Sequence, residues 1–348
     1  MSPLRSSLSR SATKLLGVFR KRDLTIRGLI DTDRRGFVVT GGTVILDKPS
    51  QTAICILTSN DTLLISGSYS NYNLLLVGGG GSGNYHGPTT GSSDHNATGG
   101  GGAGGMIVKT SQTDLVSGIS YAAVIGAGGV QLGTGNPAGP GYDRNSPLRQ
   151  GNPSTFNGLT ALGGGAGAFG QATGSPGGSG GGAGNGGYND DYDVGGTGNQ
   201  PGNPSGGLGN DGGDGYAAGG NDTRYSGGGG GAGGDGGNAP GSAGGVGSGI
   251  DWIPSSYGTP GPNGSLRYFA GGGGGAPQQQ STGGAGGYGG GGGANTDRSN
   301  PATPGTANTG GGGGAKTAYN NGTVPNSLYS GGGGSGILAV KFFGCAFG

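Results

Sequence analysis

The chain contains no glutamate: all 17 of its acidic residues are aspartate. Charged residues of either sign make up only 10% of it. That scarcity argues against an ordinary disordered polar chain, which stays open through low hydrophobicity and self-repulsion. Cysteine is nearly absent. Cys55 and Cys345 are the only two, each in an apolar, strand-like segment. They read as buried thiols, with a disulfide between the terminal regions as the alternative. Histidine is limited to His86 and His95, and the neighbourhood offers no Cys/His/Glu set for zinc. No apolar run approaches the ~20 residues of a membrane-spanning helix. Leu15–Phe19 is too short for a secretory signal and is flanked by Lys14 and Arg20.

Glycine, by contrast, fills 100 of 348 positions. Collagen would require it at every third residue with proline between. Here the glycines come in runs such as GGGG and GGGGG, with proline outside them, so a continuous triple helix is excluded. The formal charge is +1, but it is uneven. Residues 1–35 carry nine Lys or Arg and three Asp, a net +6, and the remainder carries −5. The body therefore has no bulk attraction for nucleic acid.

Residues 1–28 read as a basic arm. Leu4, Leu8, Ala12, Leu15, Leu16 and Phe19 fall on one helical face, with Arg5, Arg10 and Lys14 elsewhere. Such an amphipathic helix suits docking on a partner protein. The alternatives are a membrane surface, mimicry of a transit peptide or a solvated terminal helix. Residues 29–72 read as a small β region: FVVT, TVILD, TAICILTS and TLLIS are short, β-branched and parted by GG, KPSQ and ND turn signals. LLLV then enters the first glycine run. From there glycine runs alternate with polar loops, interrupted by three apolar strands: MIVKT, YAAVIGAGG and, near the end, ILAVKFF.

Inside the runs, other residues recur every three positions, as at Ala232, Asp235 and Asn238, at Ala285 and Tyr288, and at Asn185 and Tyr188. Period three is that of an extended polyproline-II-type helix, which rises about 3.1 Å per residue and has no internal hydrogen bonds. Its N–H and C=O groups point sideways and need partners when buried. Neighbouring glycine helices can supply them, because no Cβ holds the backbones apart. The expected fold class is therefore mainly β and irregular: short strands, a bundle or sandwich of polyglycine-II helices, and a short N-terminal amphipathic helix. A six-residue run would span about 18 Å. Valine at an interior position such as Gly229 is expected to disrupt the bundle more than a change at the loop residue Asn300.

NLLLVGGGGSG (73–83) also fits G-x-G-x-x-G at Gly78, Gly80 and Gly83. A dinucleotide loop needs a helix after the glycines, whereas NYHGPTTGSSDHNAT has no helical periodicity. These glycines are assigned to the bundle.

In order along the chain come NLLLVGGGGSG, GGGGAGGMIVKT, ISYAAVIGAGG, TFNGLTALGGGAG, GGSGGGAGNGG and SGGGGSGILAVKFF. The combined order resembles the glycine-rich domain of bacteriophage tail-fibre and related virion proteins, over about residues 73–348. It is akin to the adhesin at the tip of T-even-like phage long tail fibres. A looser likeness is to the glycine-rich domain of certain animal receptor kinases. The tip adhesins pack polyglycine-II helices into a sandwich and display variable loops that recognise the host. The resemblance implies a non-enzymatic virion protein, a tail-fibre or spike subunit without cofactor, at the surface of the particle. It stops at residue 73, since 1–72 do not match the adhesins' fibre-attachment region. The arm, through Leu4, Leu8, Leu15, Leu16 and Phe19, is then the candidate for docking to other virion proteins. A homo-oligomer such as a trimer is compatible. The alternatives are a purely structural capsid decoration or fibre scaffold and, less well matched by the irregular loops, an ice-binding protein.

Aromatic polar loops carry the candidate recognition residues for a host glycan or outer-membrane protein. The richest is IDWIPSSYGTPGPNGSLRYF, with Trp252, Tyr257, Arg267 and Tyr268. Tyr142 and Arg144 lie in GYDRNSPLRQ, and Tyr188 and Tyr192 in YNDDYD. The alternative is that these aromatics cover the flanks of the bundle. No metal site is assigned. NDDYDVGG (189–196) has its glycine one place late for an EF-hand, and Gln200 stands where the bidentate Glu belongs. GGNDTRY (219–225) is a single, imperfect match to a calcium-binding nonapeptide, which acts in tandem.

Overall fold

The structure is a computed structural model that describes residues 36–86, 96–133, 146–186, 192–202, 206–217, 223–240, 242–262, 264–278, 282–297, 299–317 and 328–348. The arm of residues 1–28, with its expected helix, lies outside them. Among the described residues there is no α-helix, and the sole helical turn is a 3-10 turn at Pro147–Arg149.

Every strand expected before the glycines is present: β1 (Val38–Thr40), β2 (Thr43–Asp47), β3 (Thr52–Leu57), β4 (Asp61–Ser66) and β5 (Asn71–Val77). Then follow β6 (Tyr85–His86), β7 (Met106–Gln112), β8 (Ser120–Val124), β9 (Ser154–Phe156), β10 (Leu159–Ala161), β11 (Tyr192–Asp193), β12 (Gly207–Leu208), β13 (Gly215–Ala217) and β14 (Arg224–Tyr225). The series closes with β15 (Ser248–Ile250), β16 (Thr259–Pro260), β17 (Arg267–Phe269), β18 (Lys316–Thr317) and β19 (Ile337–Phe343).

Two sheets pack face to face. One has the order β12-β7-β5-β19-β3-β2, the other β1-β4-β8-β9-β10. Strands of residues 29–72 thus share their sheets with β7, β8 and β19 from the glycine-rich part. Between the sheets lies an apolar core that includes Cys55, Leu57, Leu63, Ile65, Leu74, Leu76, Phe156, Val340 and Phe342. The opposite face of the six-stranded sheet is covered too. There Ile56, Leu75, Val77, Met106 and Ile337 pack against Ile250, Ile253 and Phe269. Burial on both faces explains why LLLV and ILAV are continuous apolar runs and do not alternate. Both cysteines are free and buried.

Beyond Val77 the side chains disappear and the pairing changes from two dimensions to three. In the sheet Val77 faces Met106 on one side and Ile337 on the other. Past it, Gly78, Gly81 and Asn84 donate their N–H groups to Gly105, Gly102 and Gly99. Gly80 and Gly83 donate to Gly334 and Gly331. Both registers of the sheet continue without a slip, now with a bond to each neighbour every third residue. The residues between turn elsewhere, Gly79 and Ser82 donating to Asn152 and Arg149. Carbonyls of the same run accept from Gly129, from Gly164 and Gly167, and from Gly313 and Lys316. The run 78–84 therefore has six neighbours, and so does 99–105, through 78–84, 162–168, 179–182, 227–230, 273 and 310–313.

That arrangement needs glycine for close approach. A Cβ at Gly79 would sit 2.1 Å from the Ala127 carbonyl oxygen, and one at Gly80 2.1 Å from that of Gly311. The N–H groups that a phosphate loop would use at Gly78–Gly81 are already committed to other runs, as the absence of a following helical pattern predicts. Outer runs carry one side chain per three residues. In 211–215 Asp211 is exposed and Asp214 half-buried, with buried glycines between. Asp235 and Asn238 are likewise exposed in one run, but Ala232 is not part of it. Gly231 and Gly234 are hydrogen-bonded across an intervening turn, so the period-three reading of that triplet holds only for its last two members.

The molecule is polar along its length. Phe37 donates its N–H to Ala346 at the end of the sheets remote from the bundle. The runs climb away from there, and their far ends flank segments 87–95, 134–145, 187–191, 218–222, 279–281 and 318–327.

Candidate functional site at the loop end of the bundle

Where the runs leave the glycine lattice, short bridges tie them together. Lys316 and Thr317 pair in parallel with Tyr85 and His86. Thr98 bridges to both Ala276 and Phe169, and Ala97 to Asn185. Side chains reappear here, and many are polar and buried: Asn84, Thr98, Asn185, Lys316 and Thr317 are each at most 1% exposed. Buried polar groups must be satisfied, and these are knitted to the ends of the runs. The Thr98 and Thr317 hydroxyls are 3.0 Å apart. Thr317 also donates to the Ala276 carbonyl at 3.1 Å. Asn84 Nδ2 donates to Gly167 O at 3.0 Å, as does Arg149 Nη2 at 2.6 Å.

Lys316 is the most strongly placed charge. Its Nζ donates to Asn295 Oδ1 at 3.0 Å and to the Asp297 carbonyl, and lies 4.0 Å from the Asp297 carboxylate. Burial pushes the ammonium down to about 8 against the pull of Asp297. Burial would raise the Asp297 carboxyl, but hydrogen bonds from Asn300, Ser299 and Asn295 outweigh it and hold the group at about 2. Asn300 is thus part of a built turn: its N–H and side-chain amide both reach Asp297, at 2.8 and 3.1 Å.

At the lateral edge, aspartates seal the outermost N–H groups. Asp211 Oδ1 accepts from Gly198 N–H at 2.7 Å, and Asp235 Oδ1 accepts from Asp211 N–H at 3.2 Å. One turn on, Asp214 accepts from Gly195 at 2.9 Å and Asn238 from Asp214 at 2.8 Å. A carboxyl one methylene from the backbone reaches the next run directly, a structural use for the aspartates of a chain without glutamate.

The sequence-derived recognition residues fall into two groups. Trp252, Tyr257, Arg267 and Tyr268 lie beside the sheets, on or next to the small sheet β15-β17-β16. Trp252 and Tyr257 pack against the second apolar cluster. Arg267 clips the loop by donating to the carbonyls of Tyr257 and Gly258, at 2.8 and 2.6 Å. Tyr268 faces Tyr288, ring centroids 6.4 Å apart. Tyr192 stands at the opposite, loop end and is 68% exposed. Tyr142, Arg144 and Tyr188, like Leu4, Leu8, Leu15, Leu16 and Phe19, lie outside the described residues, as does His95. Sequence reasoning missed Tyr216 and Tyr225, which join Tyr192 on the sheet β11-β13-β14. No local signal in the sequence marks them: the structure shows Gly215 and Ala217 buried with the tyrosine between them half-buried.

Gln200, at the position of an EF-hand glutamate, accepts from Leu162 N–H at 2.7 Å and so seals a run. Among the described residues no three His, Cys, Asp or Glu side chains converge on a metal-sized site, and no helix is long and apolar enough to cross a membrane.

An all-β chain in which ladders between glycine runs replace much of the apolar interior defines a class, the glycine-rich domain. The model of the glycine-rich domain family matches residues 58–343, and the chain belongs to that family. No curated protein matches it.

Proposed function

We propose that the chain is a non-enzymatic surface-recognition protein of a bacteriophage particle, a tail-fibre or spike subunit that contacts the host envelope. Its glycine runs are read as polyglycine-II helices, a reading supported by the third-residue repeat of their hydrogen bonds to each neighbour. The observation that carries the function is the polarity of the fold. The chain enters beside Phe37 at the base of the sheets, and the run ends flanking the long polar segments gather at the other end. A rigid scaffold that presents polar loops at one end suits recognition. The arm of residues 1–28 is assigned to other virion proteins.

The test is the location and blockade of the loop end. Labelled antibody to the loop end should decorate the outer tip of a fibre or spike in imaged particles and block adsorption. Decoration of the capsid with adsorption unchanged would select the purely structural alternative.

A further inference from the structure

We propose that Tyr192, Tyr216 and Tyr225 form a platform for an uncharged saccharide chain. The proposal rests on the surface-recognition reading above and names the chemistry that one part of that surface takes.

The three residues are in register. In the antiparallel pair β11–β13 Tyr192 lies opposite Tyr216, and in β13–β14 Tyr216 lies opposite Tyr225. Residues directly opposite in antiparallel strands project from the same face, so the three phenols form one row. Adjacent strands are about 4.8 Å apart, which makes the row roughly 10 Å long between its outer strands. The Tyr192 and Tyr216 rings lie 4.8 Å apart, inclined by 32°, so Tyr192 stacks on Tyr216 and keeps its outer face open. Tyr192 is 68% exposed, and Tyr216 and Tyr225 are half-buried. Gly215, Ala217 and Arg224, the alternate residues of the same strands, are buried.

This chemistry selects the ligand. A pyranose ring offers an apolar face of C–H bonds to an aromatic ring and hydroxyls to phenolic oxygens, which both donate and accept. The inward turn of Arg224 removes the only cation of β13 and β14 from the tyrosine face, so these strands offer nothing to neutralise a carboxylate or phosphate. A protein partner fits less well. Three tyrosines, two of them half-buried, present far less than the about 800 Å² per side of a stable protein interface. They match a segment of linear glycan laid across the strands.

Saturation-transfer NMR on the full chain tests this, with maltohexaose, cellohexaose and mannohexaose as neutral probes and hexagalacturonate as the acidic one. At least one neutral hexaose should receive saturation at its ring C–H protons, and hexagalacturonate much less. Tyr192→Ala should weaken binding of that hexaose about tenfold, the equivalent of one lost anchoring contact, while Tyr192→Phe should keep most of it. Because Tyr192 is mostly exposed, the two variants should melt together, which separates lost binding from lost folding. No transfer to any neutral probe, or equal transfer in both variants, overturns the platform. The same proteins are then applied to bacterial envelope vesicles. Vesicle binding that survives Tyr192→Ala while no hexaose binds sinks the platform and leaves surface recognition standing. Vesicle binding lost in Tyr192→Ala and also abolished by protease treatment of the vesicles shows a protein ligand and overturns the glycan assignment.

Discussion

The two halves of the molecule solve one problem with opposite materials. In the paired sheets, side chains such as Leu74, Leu76, Val340 and Phe342 fill the space between layers, and stability comes chiefly from apolar area removed from water. In the bundle there is almost no side chain to bury, and the layers close until backbone meets backbone. Each peptide bond there contributes a modest net amount, about 1 kcal/mol per hydrogen bond, and must offset the large entropy lost by ordering glycine. What the bundle has is density of pairing: run 78–84 meets six others where a strand meets two. The continuous register from Val77 into Gly78–Gly83 shows that one architecture grades into the other as soon as Cβ atoms vanish. The sheets should fail when atoms are removed, and the bundle when atoms are added.

The largest expected effect follows directly. Gly229→Val places its first new atom 2.0 Å from the Gly101 carbonyl oxygen, inside the lattice. Relief would require two runs to part, at a cost of at least about 3 kcal/mol. Urea denaturation should show a folded fraction greatly reduced or absent. Leu75→Ala, the matching deletion on the sheet side, should cost about 2–5 kcal/mol, and adding a methyl group to a glycine in open space should cost little. Gly264 has nothing within 4 Å of its Cβ position, so Gly264→Ala is the neutral control. Asn300 cannot serve as that control, because it is bonded to Asp297.

A sharper form of the comparison lies within one run. Alanine at Gly292 would meet the Thr303 carbonyl oxygen at 2.0 Å, whereas at its neighbour Gly293 the nearest atom is 3.9 Å away. Gly292→Ala should lower the melting temperature by several degrees, and Gly293→Ala should change it far less or raise it slightly by stiffening the unfolded chain. Similar losses at both positions would mean that the bundle reads glycine content and not backbone contact.

That local distinction marks where the sequence was legible. β1 to β5, β7, β8 and β19 were visible because β-branched runs ended in turn residues, and the demand for glycine was visible in plain runs such as 271–275. Which run neighbours which was not, since adjacent glycine runs are chemically alike and only their ends and edges differ. The same uniformity hid the candidate site. Trp252 and Tyr257 stood out by composition, yet aromatic richness is equally what covers the outer face of a sheet, and there they pack. The Tyr192, Tyr216 and Tyr225 row is spread over 34 residues of sequence and becomes a row only through pairings that local propensity does not encode.

A smaller effect tests the edge of the lattice. Asp211→Ala removes the acceptor 2.7 Å from Gly198 N–H. At this exposed position water replaces part of the bond, so the loss should be about 0.5–1 kcal/mol. Asp211→Asn keeps the oxygen and should lie closer to the parent. Equal losses for both would point to the charge, and not the seal, as what matters.

The smallest expected effects concern pH, and they should separate the regions cleanly. The Asp297 carboxyl is lowered from 3.8 to about 2 in the folded chain. Its contribution is therefore present above pH 3.8 and is lost as pH falls through about 2. Hydrogen exchange at Ser299 and Asn300, whose N–H groups it accepts, should quicken relative to the parent's intrinsic rates in that window, and Asp297→Ala should abolish the pH dependence. Lys316 has the same sign in a higher window: its pKa falls from 10.5 to about 8, so the loop end should gain stability as pH rises from about 8 to 10.5. In the sheets, burial raises the Cys55 thiol from 9.0 to about 12. The folded state holds that proton longer, and stability is lost as pH rises from 9.0 through about 12. Gly101 and its neighbours, surrounded by peptide groups alone, carry no such handle. Local exchange measured in a glycine run, corrected for intrinsic rates, should follow pH only through global unfolding, and an independent inflection there would show that backbone pairing does not by itself account for the bundle.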